Sequence, residues 1–334
     1  MKKTKCLLAA ILLSLVCLLP GCSNSSGSNG SGSNGSGGSL TNDDDKTTPG
    51  EIPEDTPKNP VETPENTDPK PSHRTEVSGK IGRYGKPYQV GDIVFKDGSA
   101  EEYSSELELT DEQKSAAIAL IFYKSGIYEK VFDTKRTLGV GLVHSGTGED
   151  GLMWCTASDN KADAHDLEIT TIICEAQKNS ITGFTYTGDT NGSDNLEQIE
   201  AFEGVNDTSD PSKYPAFYFA KNYKNQIIAG ETESRVAGTE FEDGWYLPSL
   251  AELCEICWCM EKKIFDIDAA SALCGGDKFG SDSYVSASQE KVTTKNGRVS
   301  GQDKAYGVNF STRYVIGNDK INDAKIACAI REFD

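Results

Sequence analysis

A long N-terminal stretch of low apolar content confines folding to the rest of the chain. Residues 23–39 contain only Ser, Asn and Gly, a composition that buries no apolar surface and stays a flexible coil. From Leu40 to about Thr75, seven prolines alternate with acidic residues, which favours a stiffer, more extended chain because proline fixes φ and like charges repel. No second linker follows. We therefore predict a linker over residues 22–75 and one folded domain over residues 76–334.

The first 21 residues predict a lipoprotein signal peptide. Three lysines precede an apolar run from Leu7 to Leu19, and the small residue Gly21 stands directly before Cys22. The run is short for a permanent membrane span, and a basic start with a small-residue exit is typical of a cleaved export signal. Cleavage before Cys22 would leave a diacylated cysteine, which anchors a protein to a membrane surface. The alternative is an uncleaved anchor helix.

The charge of the chain argues against nucleic acid as a partner. The formal net charge is −19, and the loss of Lys2, Lys3 and Lys5 with the signal makes the mature chain more acidic still. Such a field repels phosphate backbones and anionic headgroups. Attachment to a membrane would therefore come from the lipid on Cys22, and we expect no binding to nucleic acid.

The seven cysteines beyond Cys22 predict buried thiols rather than a metal site. An odd number leaves at least one thiol free, although an oxidising compartment permits disulfides. Cys254, Cys257 and Cys259 are spaced like metal ligands, but no histidine lies among them. On a helix, Cys259 would also turn away from the face shared by Cys254 and Cys257. A buried free cysteine behaves as a small apolar side chain.

The clearest helix start lies within Gly244–Leu253. Ser249 and Glu252 have the spacing of a capping box, in which each side chain accepts a hydrogen bond from the other residue's backbone amide. Apolar residues recur at helical spacing after it, at Leu250, Leu253, Cys254, Cys257 and Trp258. We predict a helix that packs through this one stripe.

The remaining pattern is that of an α+β chain. A second capping box at Thr110–Gln113 predicts a short helix that runs into residues 116–123, whose end favours a strand. Ile326, Cys328 and Ile330 alternate with smaller or polar residues, as in a strand with one buried face. Further predicted elements are a strand over Thr137–His144 and helices over Asn195–Phe202 and Pro215–Tyr223.

The motifs that suggest catalysis or cofactor binding are weak. Residues 146–151 match G-x-G-x-x-G, but they open no helix and place two carboxylates where a pyrophosphate needs amides, which favours a surface turn. His144 and Ser145 are adjacent in sequence, which is not the geometry of an activated nucleophile. Residues 189–200 place oxygen ligands at calcium-loop positions, but Asp194 stands where the loop needs glycine. We predict no catalytic residue, no metal and no cofactor.

Seven short segments, taken in order, resemble a known family. They are Gly91–Gly98, Gly139–Leu142, Trp154–Cys155, Gly244–Leu253, Tyr284–Gln289, Ala305–Phe310 and Ala329–Arg331. Their order over residues 76–334 is similar to that of treponemal surface lipoproteins of the C-type lectin fold, the variable proteins of diversity-generating retroelements. The resemblance implies the formylglycine-generating-enzyme-like subclass of that fold and display on the outer membrane at the cell surface.

The resemblance also implies a binding region. In this family a C-terminal segment, here about residues 283–328, is rewritten at selected codons while the scaffold is kept, and side chains on one exposed face bind a macromolecular ligand, which we expect to be a protein. Lys320, Lys325 and Gln289 are expected to be fixed, since adenine-directed change of an asparagine codon does not produce Lys or Gln. The ligand-binding residues implied are Ser283, Val285, Ser286, Ala287, Tyr306, Gly307, Thr312, Arg313, Tyr314, Ile316, Asn318, Asp319, Ile321, Asn322 and Asp323.

The composition of this segment agrees with a binding role. Residues 312–323 mix aromatic, charged and apolar side chains without alternation, as recognition loops do. An edge hairpin that tolerates any residue would give the same mixture. The sequence departs from the family it resembles at Val285 and Arg313, where that family commonly carries Trp and Gly. The sugar-binding signature of calcium-dependent lectins is absent, so we expect neither calcium nor a sugar preference.

These observations lead to an expected function with two alternatives. We expect a lipid-anchored binding protein on the cell surface that is not an enzyme. One alternative is an enzyme of the formylglycine-generating type, which would need a reactive cysteine pair near the C-terminal loops, with Cys328 and Cys274 as the available residues. The other is a purely structural envelope lipoprotein.

Overall fold

The structure is a computed structural model that describes residues 74–125, 132, 135–146, 151–156, 163–179, 183–205 and 208–333. The predicted signal, Cys22, nearly all of the predicted linker and most of the G-x-G-x-x-G segment lie outside the described residues. The chain divides after Thr63 into two units, and every described residue belongs to the second unit, residues 64–334.

The described chain is α+β, as predicted, with antiparallel sheets and few helices. The helices are α1 Asp111–Ala116, α2 Asn195–Glu200, α3 Pro215–Lys221, α4 Leu250–Lys262 and α5 Ile267–Leu273. The strands are β1 Asp92–Phe95, β2 Ala100–Glu102, β3 Ala117–Lys124, β4 Thr137–Gly141, β5 Cys174–Asn179, β6 Gly183–Gly188, β7 Ser283–Gln289, β8 Thr293–Lys295, β9 Arg298–Ser300, β10 Lys304–Asn309, β11 Tyr314–Asp319 and β12 Ile330–Glu332. Short 3-10 helices occupy Asp163–Asp166, Thr170–Ile172 and Tyr223–Asn225.

Two sheets organise these elements. The larger sheet has the strand order β12-β4-β3-β1-β2, and the smaller one has the order β11-β10-β7. All pairings within them are antiparallel. Two further pairs, β5-β6 and β8-β9, form separate hairpins. The last strand of the chain therefore lies beside β4 rather than beside the C-terminal strands that precede it.

The central strand β3 is buried on both faces. Leu120 and Phe122 pack in one apolar cluster with α4, whereas Ile118 and Ile121 pack in a second cluster with Trp154 and other residues of the opposite side. A strand that is covered on both faces has a continuous run of apolar residues in its sequence. This explains why residues 117–123 of the sequence carry no alternation.

Helix α1 gives way to β3 without a loop. The side chain of Thr110 accepts a hydrogen bond from the Gln113 amide, and the Gln113 side chain accepts one from the Thr110 amide, which completes the predicted capping box. Ala117 then adopts extended backbone angles, with φ −67° and ψ 132°. The predicted short helix that ends in a strand is confirmed.

Helix α4 also begins as predicted, but it is buried on more than one stripe. Ser249 and Glu252 form the reciprocal cap, and residues 250–257 are all buried. Cys259 does not turn away from the core, because its thiol lies 3.0 Å from the carbonyl oxygen of Phe122 and is 2 % exposed. The predicted single stripe was too narrow: α4 contacts both β3 and the C-terminal strands, so the side of the helix that carries Cys259 is buried as well.

The last part of the chain differs from the predicted half-buried strand. Residues 326–330 are all buried, and regular strand pairing is confined to β12. The amide of Val285 donates to the carbonyl oxygen of Ile326, and the amide of Gly141 donates to that of Ala329, so this segment bridges the two sheets. The small side chains of Ala327 and Ala329 are buried on the face that alternation had assigned to solvent.

The remaining element predictions differ from the structure at their ends. Helices α2 and α3 are confirmed, each ending two residues before the predicted boundary. Strand β4 ends at Gly141 rather than at His144, because the Tyr223 hydroxyl accepts a hydrogen bond from the Val143 amide and takes the place of a strand partner.

Candidate binding surface

The three-stranded C-terminal sheet carries most of the predicted binding residues. Strand β10 lies in the middle and β11 lies at the edge. The register pairs Asn309 with Tyr314 and Gly307 with Ile316. Residues 312–313 belong to the turn 310–313 between the two strands, and residues 321–323 lie just after the end of β11. The structure therefore brings the turn, the edge strand and the following loop together, and we call residues 312–323 the β11 edge surface.

Five of the predicted binding residues are buried, which corrects the sequence-based assignment. Strand β7 is also covered on the side away from β10. There the amide of Ala287 donates to the Pro248 carbonyl oxygen, and the indole of Trp154 donates to the Ala287 carbonyl oxygen at 3.3 Å. The partners that cover β7 lie far away in sequence, so the pattern of β7 itself did not reveal them. The buried residues are Val285, Ser286, Ala287, Gly307 and Asn318.

Gly307 and Asn318 form one packing unit across β10 and β11. A Cβ atom at position 307 would overlap the side-chain Nδ2 of Asn318 and the backbone carbonyl oxygen of Tyr284. Glycine at this position therefore gives the Asn318 side chain the space it occupies, at 3 % exposure. Both residues belong to the scaffold, because neither can reach a ligand on the surface.

The prediction that the exposed residues share one face of the sheet was wrong. Side chains alternate between the two faces of a strand, and directly paired residues lie on the same face. Tyr306 pairs with Gly317 on the face that carries Asp319, whereas Tyr314 and Ile316 lie on the opposite face. What these residues share is their position at the outer edge of β11, which pairs with no other strand in the described part of the chain. Tyr306, on the middle strand, is half-buried.

The polar residues of the β11 edge surface stabilise its turns. Oδ1 of Asp319 accepts hydrogen bonds from the amides of Ile321 and Asn322, both at 3.0 Å. Oδ2 of Asp323 accepts one from the Asp319 amide at 2.9 Å. The amide and hydroxyl of Thr312 both donate to the Asn309 side chain. These bonds hold the backbone in a fixed shape and leave Tyr314, which is 64 % exposed, and half-buried Ile316 as the main contact residues.

Two further predicted residues occupy the margin of this surface. Half-buried Ser283 begins β7, and its hydroxyl accepts a hydrogen bond from the side-chain Nδ2 of Asn309 at 3.0 Å. Arg313 has a φ of 60°, a left-handed conformation that favours glycine. Burial raises the pKa of the Cys257 thiol on α4 to about 11, and the nearby half-buried Arg313 guanidinium acts in the opposite direction. The Arg313 side chain is therefore directed into the domain rather than toward a ligand.

Two neighbours of this surface were not predicted from the sequence. The ammonium group of Lys178 on β5 lies 5.8 Å from the centre of the Tyr314 ring, and no local pattern relates these residues. The β8-β9 hairpin projects from the segment between β7 and β10 with every residue exposed. Its turn, Asn296-Gly297, has φ angles of 53° and 77°. An Asn-Gly dipeptide between two short segments that contain Thr and Val is a strong hairpin signal, so the hairpin could have been predicted.

The segment that resembles a calcium loop uses its oxygens internally. Oδ1 of Asp189 accepts the Asn191 amide at 3.0 Å, and the Asn191 side chain accepts the Ser193 amide at 3.3 Å. Glu200 accepts the hydroxyl of Thr208 at 3.1 Å. Burial raises the pKa of Asp189 to about 6. Within the described parts of the chain, no group of three or more His, Cys, Asp or Glu residues could hold a metal ion.

The other candidate reactive groups are buried in apolar surroundings. Nδ1 of His144 lies 2.8 Å from the Tyr284 hydroxyl, and its ring contacts Phe279. Burial lowers the pKa of His144 to about 4. Cys274 and Cys328 are free thiols, and burial raises the pKa of each. A nucleophilic cysteine needs a lowered pKa and access to solvent, so neither thiol has the character that the enzyme alternative requires.

Comparison with known proteins adds no relative. No protein-family model matches the chain, and neither the curated proteins nor the solved structures contain a significant match to it.

Within the described ranges, no helix has the length and apolar character needed to cross a bilayer.

Proposed function

We propose that this chain is a lipid-anchored protein of the cell surface, with a C-type lectin fold, that binds a macromolecular ligand through the β11 edge surface. The observation that carries the proposal is an edge strand, unpaired on its outer side within the described residues, that bears the exposed Tyr314 on a backbone fixed by its own turns. The ligand we propose is a protein, because an aromatic side chain surrounded by polar groups is typical of protein-binding surfaces.

The proposed mechanism is preorganisation. Asp319, Asp323 and Asn309 hold the turns on either side of β11, and buried Lys320 donates from its ammonium group to the carbonyl oxygen of Ala164 at 2.8 Å. Side chains at the edge can then change without a new ordering cost for the backbone, and a fixed backbone retains more of the binding free energy. Lys320 and Gln289 are both 0 % exposed, which fits the fixed positions that the family resemblance implies.

Attachment of intact cells provides the first test. Cells that display the full chain would be bound to a panel of immobilised extracellular-matrix proteins, and the same measurement would be made for Tyr314→Ala and Ile316→Ala. We expect attachment to fall at least about tenfold for Tyr314→Ala, since truncation of a central aromatic contact costs about 2 kcal/mol. Ile227→Ala is the control, because Ile227 is 45 % exposed and lies outside the β11 edge surface.

The attachment test also distinguishes the structural alternative. If Tyr314→Ala and Ile316→Ala leave attachment unchanged although the chain reaches the surface, the structural envelope role is favoured.

Two other parts of the proposal have their own tests. Labelling with a radioactive fatty acid should be abolished by Cys22→Ala, which tests the anchor. A near-copy of the 3′ end of the gene that differs only at adenines, beside a reverse transcriptase gene, would identify the diversification system.

A further inference from the structure

The chain contains four Asn-Gly pairs, two of them in the folded domain. Asn29-Gly30 and Asn34-Gly35 belong to the predicted linker, whereas Asn191-Gly192 precedes α2 and Asn296-Gly297 forms the turn of the β8-β9 hairpin. Asparagine is a thermolabile residue. When glycine follows it, no Cβ atom hinders the next backbone nitrogen from reaching the side-chain carbonyl carbon. The surroundings of each pair therefore decide whether this reaction takes place.

The pair Asn191-Gly192 is held inside the domain. The Gly192 amide donates to Oε2 of Glu252 at 3.0 Å, and the Asn191 side chain accepts the Ser193 amide at 3.3 Å. Gly192 is buried, and a Cβ atom there would overlap the Leu247 carbonyl oxygen. The nitrogen that would attack is thus engaged in a buried hydrogen bond. Its release requires disruption of the network around Glu252.

The pair Asn296-Gly297 has none of these restraints. Both residues are exposed, and a Cβ atom at Gly297 would meet no atom of the described chain within 4 Å. Within the same part of the chain, neither the Gly297 amide nor the Asn296 side chain makes a hydrogen bond. The reacting groups are therefore accessible to each other and to water once the turn relaxes.

The hairpin that carries this turn opens at little cost. Strands β8 and β9 have three residues each, all of them exposed, and the two strands pair only with each other among the described sheets. An isolated two-stranded hairpin is marginally stable in water. Segments with few buried apolar contacts open locally far more often than the domain unfolds. This opening provides the relaxation that the Gly297 nitrogen needs to reach the side chain of Asn296.

Two cations flank the reacting pair. Lys295 and Arg298 lie directly opposite each other in the strand register, and like charges in that position destabilise a hairpin. They also attract the negative charge that develops on the Gly297 nitrogen as it loses its proton. Residues 291–302 contain three cations and no carboxylate, in a chain of net charge −19. The local charge therefore favours both the reaction and a product that carries a carboxylate.

We propose that Asn296 is a site of spontaneous deamidation. The backbone nitrogen of Gly297 bonds to Cγ of Asn296, the Cγ–Nδ2 bond breaks, and the side-chain nitrogen leaves as ammonia with the proton of the Gly297 amide. One water molecule then opens the cyclic imide at either carbonyl group, which gives aspartate or isoaspartate. Isoaspartate lengthens the main chain by one carbon atom, so the two-residue turn loses its fit. This inference does not depend on the proposed binding function.

The experiment follows all four Asn-Gly pairs in one molecule. The mature chain would be incubated at mildly alkaline pH in water enriched in heavy oxygen and digested with pepsin at acidic pH. Electron-transfer mass spectrometry then locates the label and separates isoaspartate from aspartate. We expect Asn296 to react at least about a hundredfold faster than Asn191, because the reaction of Asn191 requires a far costlier opening. Asn29 and Asn34 give the rate of a flexible coil.

Denaturant provides the reference for the effect of the fold. In concentrated guanidinium all four pairs should react at similar rates, because the hydrogen bonds that protect Asn191 are lost. Equal rates at Asn296 and Asn191 in the native chain would overturn the proposal. Absence of label at Asn296 after both linker pairs have reacted would overturn it as well.

Variants test the chemistry and the charge. Asn296→Gln should abolish the reaction in the hairpin, since the longer side chain would have to close a larger ring, and should leave the linker pairs unchanged. Lys295→Gln combined with Arg298→Gln should slow the reaction of Asn296 about threefold. Lys114→Gln, at an exposed position of α1, is the matched control and should react like the parent chain. Equal rates in the double variant and in this control would refute the contribution of the two cations.

Discussion

Arg136 and Glu252 form a buried ion pair beneath the first turn of α4, with Nη1 of Arg136 2.8 Å from Oε1 of Glu252. The second carboxylate oxygen, Oε2, accepts the amides of Ser249 at 2.8 Å and Gly192 at 3.0 Å. The Tyr246 hydroxyl completes the network at 2.9 Å from Oε1. One side chain thus caps a helix, neutralises a buried cation and fixes the loop before α2.

The first prediction concerns this ion pair. Glu252→Gln should lower the free energy of unfolding by about 3 kcal/mol, because the buried guanidinium of Arg136 loses its main counter-charge. Chemical denaturation followed by circular dichroism measures the change. Glu106→Gln is the control, since Glu106 is exposed on a turn and should change stability by less than about 0.5 kcal/mol. Equal effects of the two substitutions would mean that the network contributes nothing beyond surface charge.

The second prediction concerns the end of α4. Lys263 has a φ of 51°, and the amide of the following Ile264 donates back to the Cys259 carbonyl oxygen at 3.1 Å. This is the closure that usually carries glycine. Lys263→Gly should therefore raise the free energy of unfolding by about 1 kcal/mol, because glycine adopts the left-handed conformation without a steric cost.

Its neighbour supplies the matched control. Lys262 is the last helical residue of α4, so Lys262→Gly should instead lower stability by about 1 kcal/mol, as glycine does inside helices. A thermal melt of both variants gives the two signs directly. Two shifts of the same sign would show that the gain at 263 does not come from the backbone conformation.

The features that sequence could predict are the local ones. The capping boxes at Thr110 and Ser249 depend on residues three positions apart, and the structure contains both. The burial of β7 depends on distant partners. The hydroxyl of Ser288 accepts the amide of Leu250, and the side chain of Gln289 accepts the amide of Ile169. The family resemblance placed residues of β7 on the binding face, whereas the polar groups of Ser288 and Gln289 on this strand are bonded inside the domain.

The same limit applied to the binding surface. The turn residues and Tyr314 were implied by the family resemblance, and the mixed composition of residues 312–323 agreed with it, because recognition loops favour such mixtures. Which face each residue occupies depends on the register of β10 against β11, and a single sequence does not specify that register when the strand carries Gly and Asn on both faces.

The third prediction is a dependence of stability on pH. Glu255 on α4 is 7 % exposed, and its Oε1 lies 2.6 Å from the Tyr186 hydroxyl. Burial raises the pKa of Glu255 from 4.5 to about 7, while the hydrogen bond from Tyr186 acts in the opposite direction. The folded state therefore keeps a proton that the unfolded state releases between pH 4.5 and 7. Over that window Glu255 makes stability fall as the pH rises, by about 3 kcal/mol in total.

Glu255→Gln tests this sign. Gln does not ionise, so the variant should match the parent chain at the acidic end of the window and exceed its unfolding free energy by up to about 3 kcal/mol above it. Tyr186→Phe keeps the carboxyl group and removes the bond that lowers its pKa, so the step should move to higher pH. A difference between Glu255→Gln and the parent that stays constant with pH would contradict the raised pKa.

The fourth prediction concerns the thiols. All seven cysteines from Cys155 to Cys328 are free and buried. Burial raises the pKa of Cys257 to about 11 and of Cys174 to about 12, so the reactive thiolate is rare and shielded. In a chain that begins at Ser23, Ellman's reagent should label no cysteine in the native state and all seven in concentrated guanidinium without reductant.

Ser281→Cys, at an exposed position, should add one thiol that reacts in the native state. Fewer than seven after unfolding would indicate disulfides, and rapid native labelling of Cys328 would instead favour the enzyme of the formylglycine-generating type over the binding protein proposed above.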